Sequence, residues 1–300
     1  MRSYANLHIH LDAAARIPVL EPLRRVNEAL LDLLRSFTAE EWHRPTVHPD
    51  RNVKDLTAHL LQTTLMRVSI ARDRYRLPTE PIANIDHLIA LIQRNNREFM
   101  TAMSWVSPRI LIELIEVYNR EMVAVFEALD PDAPGIGVAW AGEAVSRNWF
   151  DIAREYTEKW HHQQQLRDAT GRPALYESAL FAPVLETFAR GLPFAFRSHA
   201  AKDGSSVSIA VTGPVTLHWT LRRADGKWSL WSGTDPNAQA LISIPADVAW
   251  RVWTTGIKPD EAREKMDVRG DEAMAAPLTS FVAIMASRNA NPRVVKGGKQ

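Results

Sequence analysis

The chain has no cysteine. Disulfides, thiolate metal sites and a cysteine nucleophile are therefore excluded, and any thiol chemistry must use a thiol brought in from outside. Charge of one sign is missing as well: 36 Lys and Arg against 35 Asp and Glu leave a formal net charge of +1 over 300 residues. Without a basic field, neither nucleic acid nor an anionic membrane surface is indicated as a partner. Nothing approaches the run of about 18 apolar residues that a membrane-spanning helix needs. The opening MRSYANLHIHLDAAARIP lacks the basic-then-apolar order of a signal peptide, so the expected address is the cytoplasm. What is present is 46% hydrophobic and 24% charged residues, the balance of a globular protein with a real core. The length suits one large domain or two ordinary ones, with no internal repeat.

The HIHLD segment (His8, His10, Asp12) has the HxH spacing of a metal pair in amidohydrolase barrels. Those barrels alternate strands with helices, whereas long helices follow here, so a surface segment is the expected role. From Pro18 to about Phe37 the apolar residues recur at helical spacing. Thr38 and Glu41 form a capping box ahead of Trp42, and RPTVHPDRN reads as a loop. Asn52 caps a second long helix, VKDLTAHLLQTTLMRVSIARDRY, a third runs from about Ile85 to Trp105, and Ser107-Pro108 opens a fourth. Residues 130–147, rich in Pro, Gly and Ala, cross to the last helix of this half.

That helix, NWFDIAREYTEKWHHQQQLRDATG, runs from Asn148, a possible cap, to Gly171, which suits the left-handed position after its end. Trp149, Ile152, Ala153, Tyr156 and Trp160 form an apolar stripe. Glu155, Glu158, His162 and Gln165 share a neighbouring face. Glu158 and His162, four residues apart, sit roughly 6 Å from each other at Cβ and could grip one divalent cation. Such pairs are common on solvated helix faces, so a third ligand must come from elsewhere. His59, inside the second helix, is by itself a packed core residue; a facing helix that offers Glu158 and His162 gives it another role. Helices joined by short or medium connections make a bundle, and bundles build metal sites from facing side chains. His161 is turned about 100° from His162 and is expected at the surface or behind the ligands. Glu155 is a reserve carboxylate that could hydrogen-bond a ligand histidine.

After Gly171 the texture changes. One more helix, ALYESALFAPVLETFARGLP, stops at Gly191. Then SVSIAVTG, VTLHWTLRR, KWSLWSG and AQALISI alternate as strands, with ADGK as a hairpin turn. A helix over 246–255, the stretch MDVRGD and a last helix around Ala273–Met285 complete an α+β half with a small antiparallel sheet.

VKDLTAHL, preceded by the Trp42, Pro45 and Thr46 turn, resembles the N-terminal signature of DinB-like four-helix bundles, closest to the branch of mycothiol-dependent maleylpyruvate isomerases. The later WSGTDPNAQALISIPADVAWRVWTTG and VRGDEAM resemble the sterol-carrier-protein-like domain attached to that bundle. The resemblance implies an α+β two-domain protein: a DinB-like metal-binding bundle over 1–175 and a small antiparallel sterol-carrier-protein-like domain over 176–287; the polar tail over 288–300, with its Gly-Gly, is expected to be disordered from its composition. It also implies a metal triad of His59, Glu158 and His162. One position departs from the pattern: an Arg often follows the Gly after the Trp-rich helix, but Gly256 is followed here by Ile257. If that arginine holds an anionic substrate, this chain lacks it.

The functional expectation is an enzyme, a metal- and thiol-dependent isomerase or S-transferase acting on a small electrophile. Two neutral imidazoles and a carboxylate leave a divalent ion, Zn²⁺ by preference, with open positions for water and a substrate sulfur. Bound thiol then becomes thiolate at neutral pH. In the resembling family the cosubstrate is mycothiol; the residues alone support a low-molecular-weight thiol. The alternative is a non-catalytic, metal-stabilised module that binds an apolar ligand or a protein. Either fits a monomer or homodimer.

Overall fold

The computed structural model describes residues 11–75 and 81–285. His8, His10 and the tail 288–300 lie outside the described residues. The chain divides into a helical unit, residues 18–137, 145–184 and 285–300, and a sheet unit, residues 1–17, 138–144 and 185–284. The dividing point nearest the boundary expected at 175–176 falls between Val184 and Leu185.

The helical unit is built from α1 (Leu20–Arg35), α2 (Val53–Ala71), α3 (Ile85–Met103), α4 (Pro108–Ala128) and α5 (Asn148–Thr170). Helices α1, α2, α4 and α5 pack on one another as a four-helix bundle, and α3 lies against α2. The starts and stops follow local chemistry. Asn52 accepts from Asp55 N at 2.9 Å while Asp55 accepts from Asn52 N at 3.0 Å, a reciprocal cap on α2. Ser107 caps α4, with Pro108 at its first turn, and Gly171 takes the left-handed conformation, φ 69°, that ends α5. The start of α5 differs from expectation. The capping position is Arg147, without a side-chain cap bond, and Asn148 is the first helical residue. The reason is that carbonyls of the preceding loop take the free N–H groups: Asn148 N donates to Ala133 O at 2.9 Å and Trp149 N to Pro131 O at 3.0 Å. Asn148 Nδ2 is thereby released to donate to Asp130 O at 2.7 Å. Leu30, Leu34, Trp42, Leu56, Leu60 and Ile115 belong to the apolar core.

The sheet unit holds β1 (Asp12–Ala13), β2 (Ser206–Thr212), β3 (Leu217–Ala224), β4 (Lys227–Ser232), β5 (Ala240–Pro245) and β6 (Asp267–Gly270). Their order is β1-β4-β3-β2-β5-β6. Asp225 and Gly226, at φ 49° and 73°, make the expected two-residue turn between β3 and β4. The sheet, expected to be antiparallel throughout, is mixed, because β2 and β5 run parallel. Residues 233–239 make the crossover. This loop is tied to the hydroxyls of β2 and β3: Asp235 N donates to Ser208 Oγ at 2.8 Å, Ser206 Oγ to Asp235 Oδ2 at 3.0 Å, and Thr220 Oγ1 to Gly233 O at 2.9 Å. Alternating small hydroxyl residues, which read as a solvent face, are the buried anchors of that loop.

Helix α6 (Ser178–Ala189) spans the dividing point, and α7 (Leu192–Ala195), α8 (Ala246–Trp253), α9 (Pro259–Glu264) and α10 (Ala276–Ser280) follow. The last helix expected over 273–285 is shorter, a 3₁₀ turn at Glu272–Ala275 leading into α10. Beyond it the chain is extended, and Ala283 N donates to Trp253 O at 2.8 Å. Aromatic rings fill this unit's core: Phe188 meets Trp140 and Trp253 edge-on at 6.2 and 6.3 Å between centroids.

Candidate metal centre

The two helices that face each other across the bundle, α2 and α5, are both buried on most sides. In α2 the six residues Leu56 to Leu61 are all buried, and in α5 so are Glu155, Lys159, His161, His162 and Gln163 to Gln165. His59 of α2 and the Glu158/His162 pair of α5 therefore meet inside the unit. Each offers one ligand atom, and these atoms lie within 4.8 Å of one another. His162 Nε2 is 3.4 Å from Glu158 Oε2. The His59 and His162 rings stand edge to face, 4.9 Å between centroids.

Two glutamines orient the imidazoles. His59 Nδ1 is 3.3 Å from Gln62 Oε1, and His162 Nδ1 is 2.8 Å from Gln165 Oε1. A carbonyl oxygen can only accept, so the protons sit on Nδ1 and both Nε2 lone pairs are left available. Gln165 was named from sequence only as sharing the face of Glu158 and His162, and Gln62 not at all, yet they carry a repeated signal: HLLQ at 59–62 and HQQQ at 162–165 both place Gln three residues after His, on the same helix face. Gln165 Oε1 also accepts from His48 Nε2 at 3.2 Å, so the loop before α2 closes over the site.

The electrostatics favour the ligand forms. Burial is the first cause that pushes His59 and His162 down to about 3, so both imidazoles are neutral at pH 7. His48 is pushed down to about 3 by burial and by Arg51. Burial alone would raise Glu158, but His161, His162 and Arg154 outweigh it and hold this carboxyl well below its usual range. Two neutral imidazoles with free lone pairs and an ionised carboxylate form a donor set that fits a divalent cation.

Glu155 sits elsewhere than expected. It is 2.7 Å from Arg154 Nη2 and 3.5 Å from Arg67 Nε, inside an ion network with Asp151, which Arg67 meets at 2.5 Å. The groups that hold the ligand imidazoles are the glutamines. His161 is buried rather than at the surface; its Nδ1 donates to Thr157 O at 2.9 Å and its ring packs 3.9 Å from that of His162. Lys159, on the other side of Glu158, is fully buried and donates to Leu60 O, Thr64 Oγ1 and Asn119 Oδ1, with burial pushing it down to about 8.

Among the described residues no helix is long and apolar enough to cross a membrane. No curated protein matches the chain. The solved mycothiol-dependent maleylpyruvate isomerase is similar in fold, with TM-score 0.50 and 13% identity over 78% of this chain and 86% of that one. A structure of a histidine-to-alanine mutant of mycothiol-dependent maleylpyruvate isomerase superposes with TM-score 0.49 and 12% identity over the same shares. The family model described as "Mycothiol maleylpyruvate isomerase N-terminal domain" matches residues 23–167, the stretch that contains α2, α5 and all three candidate ligands. Residues 23–167 are thus similar to the mycothiol maleylpyruvate isomerase N-terminal domain family.

Proposed function

We propose that the chain is a divalent-metal-dependent enzyme that uses a low-molecular-weight thiol, of the mycothiol kind, to isomerise or transfer a small electrophilic substrate. The observation that carries this reading is the convergence of buried His59 and His162 with partly buried Glu158 within 4.8 Å. The family match over the same helices and a fold shared with a mycothiol-dependent maleylpyruvate isomerase support it. The reading extends to the sheet unit as the sterol-carrier-protein-like domain, supported by a fold match that covers 78% of the chain.

When bound, a divalent ion, Zn²⁺ by preference, supplies Lewis acidity that keeps a thiol ionised at neutral pH. The protein's own residues do the rest. Gln62 and Gln165 hold each Nδ1 proton, so both imidazoles present Nε2 without a tautomer change. Glu158 contributes the single negative charge of the ligand set. The surrounding bundle keeps bulk water from the ligands, since His59 and His162 are 7% and 5% exposed.

The test is metal content and thiol-dependent turnover of His162→Ala and His161→Ala, compared with the unmodified protein. His162→Ala removes one of three protein ligands, so metal and activity are lost together. His161→Ala leaves most of the metal in place, because the converging ligand atoms come from His59, Glu158 and His162 and not from His161. Metal retained by His162→Ala but lost from His161→Ala would reverse the ligand assignment. Metal without turnover on any activated alkene or epoxide would replace the enzyme with a binding module.

A further inference from the structure

We infer that the groove between α1 and α4, across the bundle from the α2 and α5 pair, is a second small-molecule site, and that it takes a cationic amino amide: a primary ammonium beside a carboxamide. The inference is independent of the metal- and thiol-dependent reading.

The groove has a volume of about 490 Å³, within the usual range of small-molecule sites, and the residues that line it all belong to the helical unit. Two buried carboxamides are among them. Asn27 of α1 is 6% exposed, and both its Oδ1 and its Nδ2 are buried without a hydrogen-bond partner. Asn119 of α4 is 2% exposed. Its Oδ1 accepts from Lys159 Nζ at 3.1 Å. An ammonium can only donate, so the oxygen is fixed on that side and Nδ2 is the end left buried without a partner. An unpartnered amide by itself marks no site, since the buried Gln163 is in the same state. Asn27 and Asn119 are distinguished by lining one groove together. Leaving such groups unpaired costs stability, a cost that a ligand supplying the missing partners removes.

The pattern of atoms selects the ligand. Asn27 offers donors and an acceptor, and Asn119 Nδ2 adds further donors. A ligand carboxamide answers both kinds, its oxygen accepting and its N–H donating, whereas a carboxylate leaves Asn27 Oδ1 unpaired. The charges along the edges are sorted as well. Arg24 pairs with Glu127 at one end of the groove, and at the other Arg35 and Arg120 lie 2.6 and 3.8 Å from Glu116. The arginines are thus engaged. Among the described residues no cation is paired with Glu28 or Asp32, two exposed carboxylates that also line the groove. They are four residues apart on α1 and share one face, where a single ammonium answers both. Leu31 and Val123 add apolar surface for a short aliphatic chain.

The test is a chemical-shift titration of the isotope-labelled, full-length protein with leucinamide and with its two halves: isopentylamine, which lacks the carboxamide, and isocaproamide, which lacks the ammonium. Wild type, Asn27→Leu and the double variant Glu28→Gln with Asp32→Asn are compared, with melting temperature measured for each. Leucinamide should bind wild type saturably, and each half on the order of tenfold more weakly. Asn27→Leu should bind leucinamide on the order of tenfold more weakly at an unchanged or higher melting temperature, because an apolar side chain there leaves no amide unpaired. The double variant should lose affinity for leucinamide and keep that for isocaproamide. Absence of saturable leucinamide binding to wild type overturns the inference, as does equal affinity of wild type and Asn27→Leu. Leucinamide binding no tighter than either half also overturns it, since that marks unspecific association along the groove. If Asn27→Leu fails to fold, the double variant at exposed positions decides the question: equal leucinamide affinity to wild type sinks the inference.

Discussion

Both units have apolar cores, but among the described residues the helical unit also buries several charged side chains where the sheet unit buries one, Asp235. Inside the helices lie Arg67, Asp151, Glu155 and Lys159, each at most 2% exposed, alongside His59 and His162. Inside the sheet unit the large buried groups are Trp219, Trp250, Trp253, Phe188 and Phe196, and the buried polar groups are mostly hydroxyls, of which Ser206, Ser208 and Thr220 are tied to a crossover loop. Burying charge is costly and is tolerated where partners are in place, whereas burying aromatic rings is favourable in itself. The helical unit therefore spends packing quality to hold a polar constellation in one geometry.

The comparison is broken or sharpened by a series of substitutions, taken from the largest effect down. Asp151→Ala leaves Arg67 and Arg154 short of a buried partner, and should destabilise the protein by about 3–5 kcal/mol in urea denaturation. Phe188→Ala, in the aromatic core, should cost a similar ~3–5 kcal/mol through lost burial and the cavity it leaves. The two should part in their repair: an apolar pair replacing Arg67 and Asp151 together should recover stability, while no polar residue should rescue position 188. If Asp151→Ala costs less than about 1 kcal/mol, the contrast between the units fails.

Gln165→Ala removes the acceptor that His48 and His162 share. Metal affinity should fall by about 10–100-fold with little change in melting temperature, as read by competition with a chromophoric chelator. Ser208→Ala, in the sheet unit, strips the hydroxyl that serves both Thr220 and Asp235, and should cost about 1–3 kcal/mol without touching metal affinity.

The smallest effect is a pH dependence. Arg172 donates to both oxygens of Glu41 and, as the first cause, holds that carboxyl down to about 2 from its ordinary 4.5. A depressed folded-state value means the contribution is present in full above about pH 4.5 and is lost as pH falls towards 2. Melting temperatures from pH 6 to pH 2 should therefore fall more steeply for wild type than for Glu41→Gln. Parallel curves would show that this pair contributes nothing.

Much of this was legible in the residues. The switch from a period of 3.6 to a period of 2 separates the helices from the strands, and Asn52, Ser107, Gly171 and the Asp225-Gly226 turn act where local chemistry puts them, because caps and turns depend on neighbours within four residues. The i,i+4 spacing of Glu158 and His162 is likewise a property of any helix, and it made them candidates before a partner was seen. Other features depend on what lies across a gap in space. The stretch EYTEKWHHQQQ reads as polar, yet the tertiary structure buries Lys159 against Leu60 and Thr64 of α2 and lets Gln164 Oε1 accept from Leu175 N. Glu155 shares the helix face of Glu158, yet Arg154 beside it and Arg67 of α2 hold it in their ion network, leaving Gln62 and Gln165 to orient the histidines. Ser206, Ser208 and Thr220 look like a solvent face until the 233–239 loop covers them and makes β2 and β5 parallel. The local pattern set the elements and their candidate ligands, since it is written in residue spacing. The tertiary structure decided which buried group answers which, since a charge or hydroxyl is committed only when a particular partner from another element reaches it.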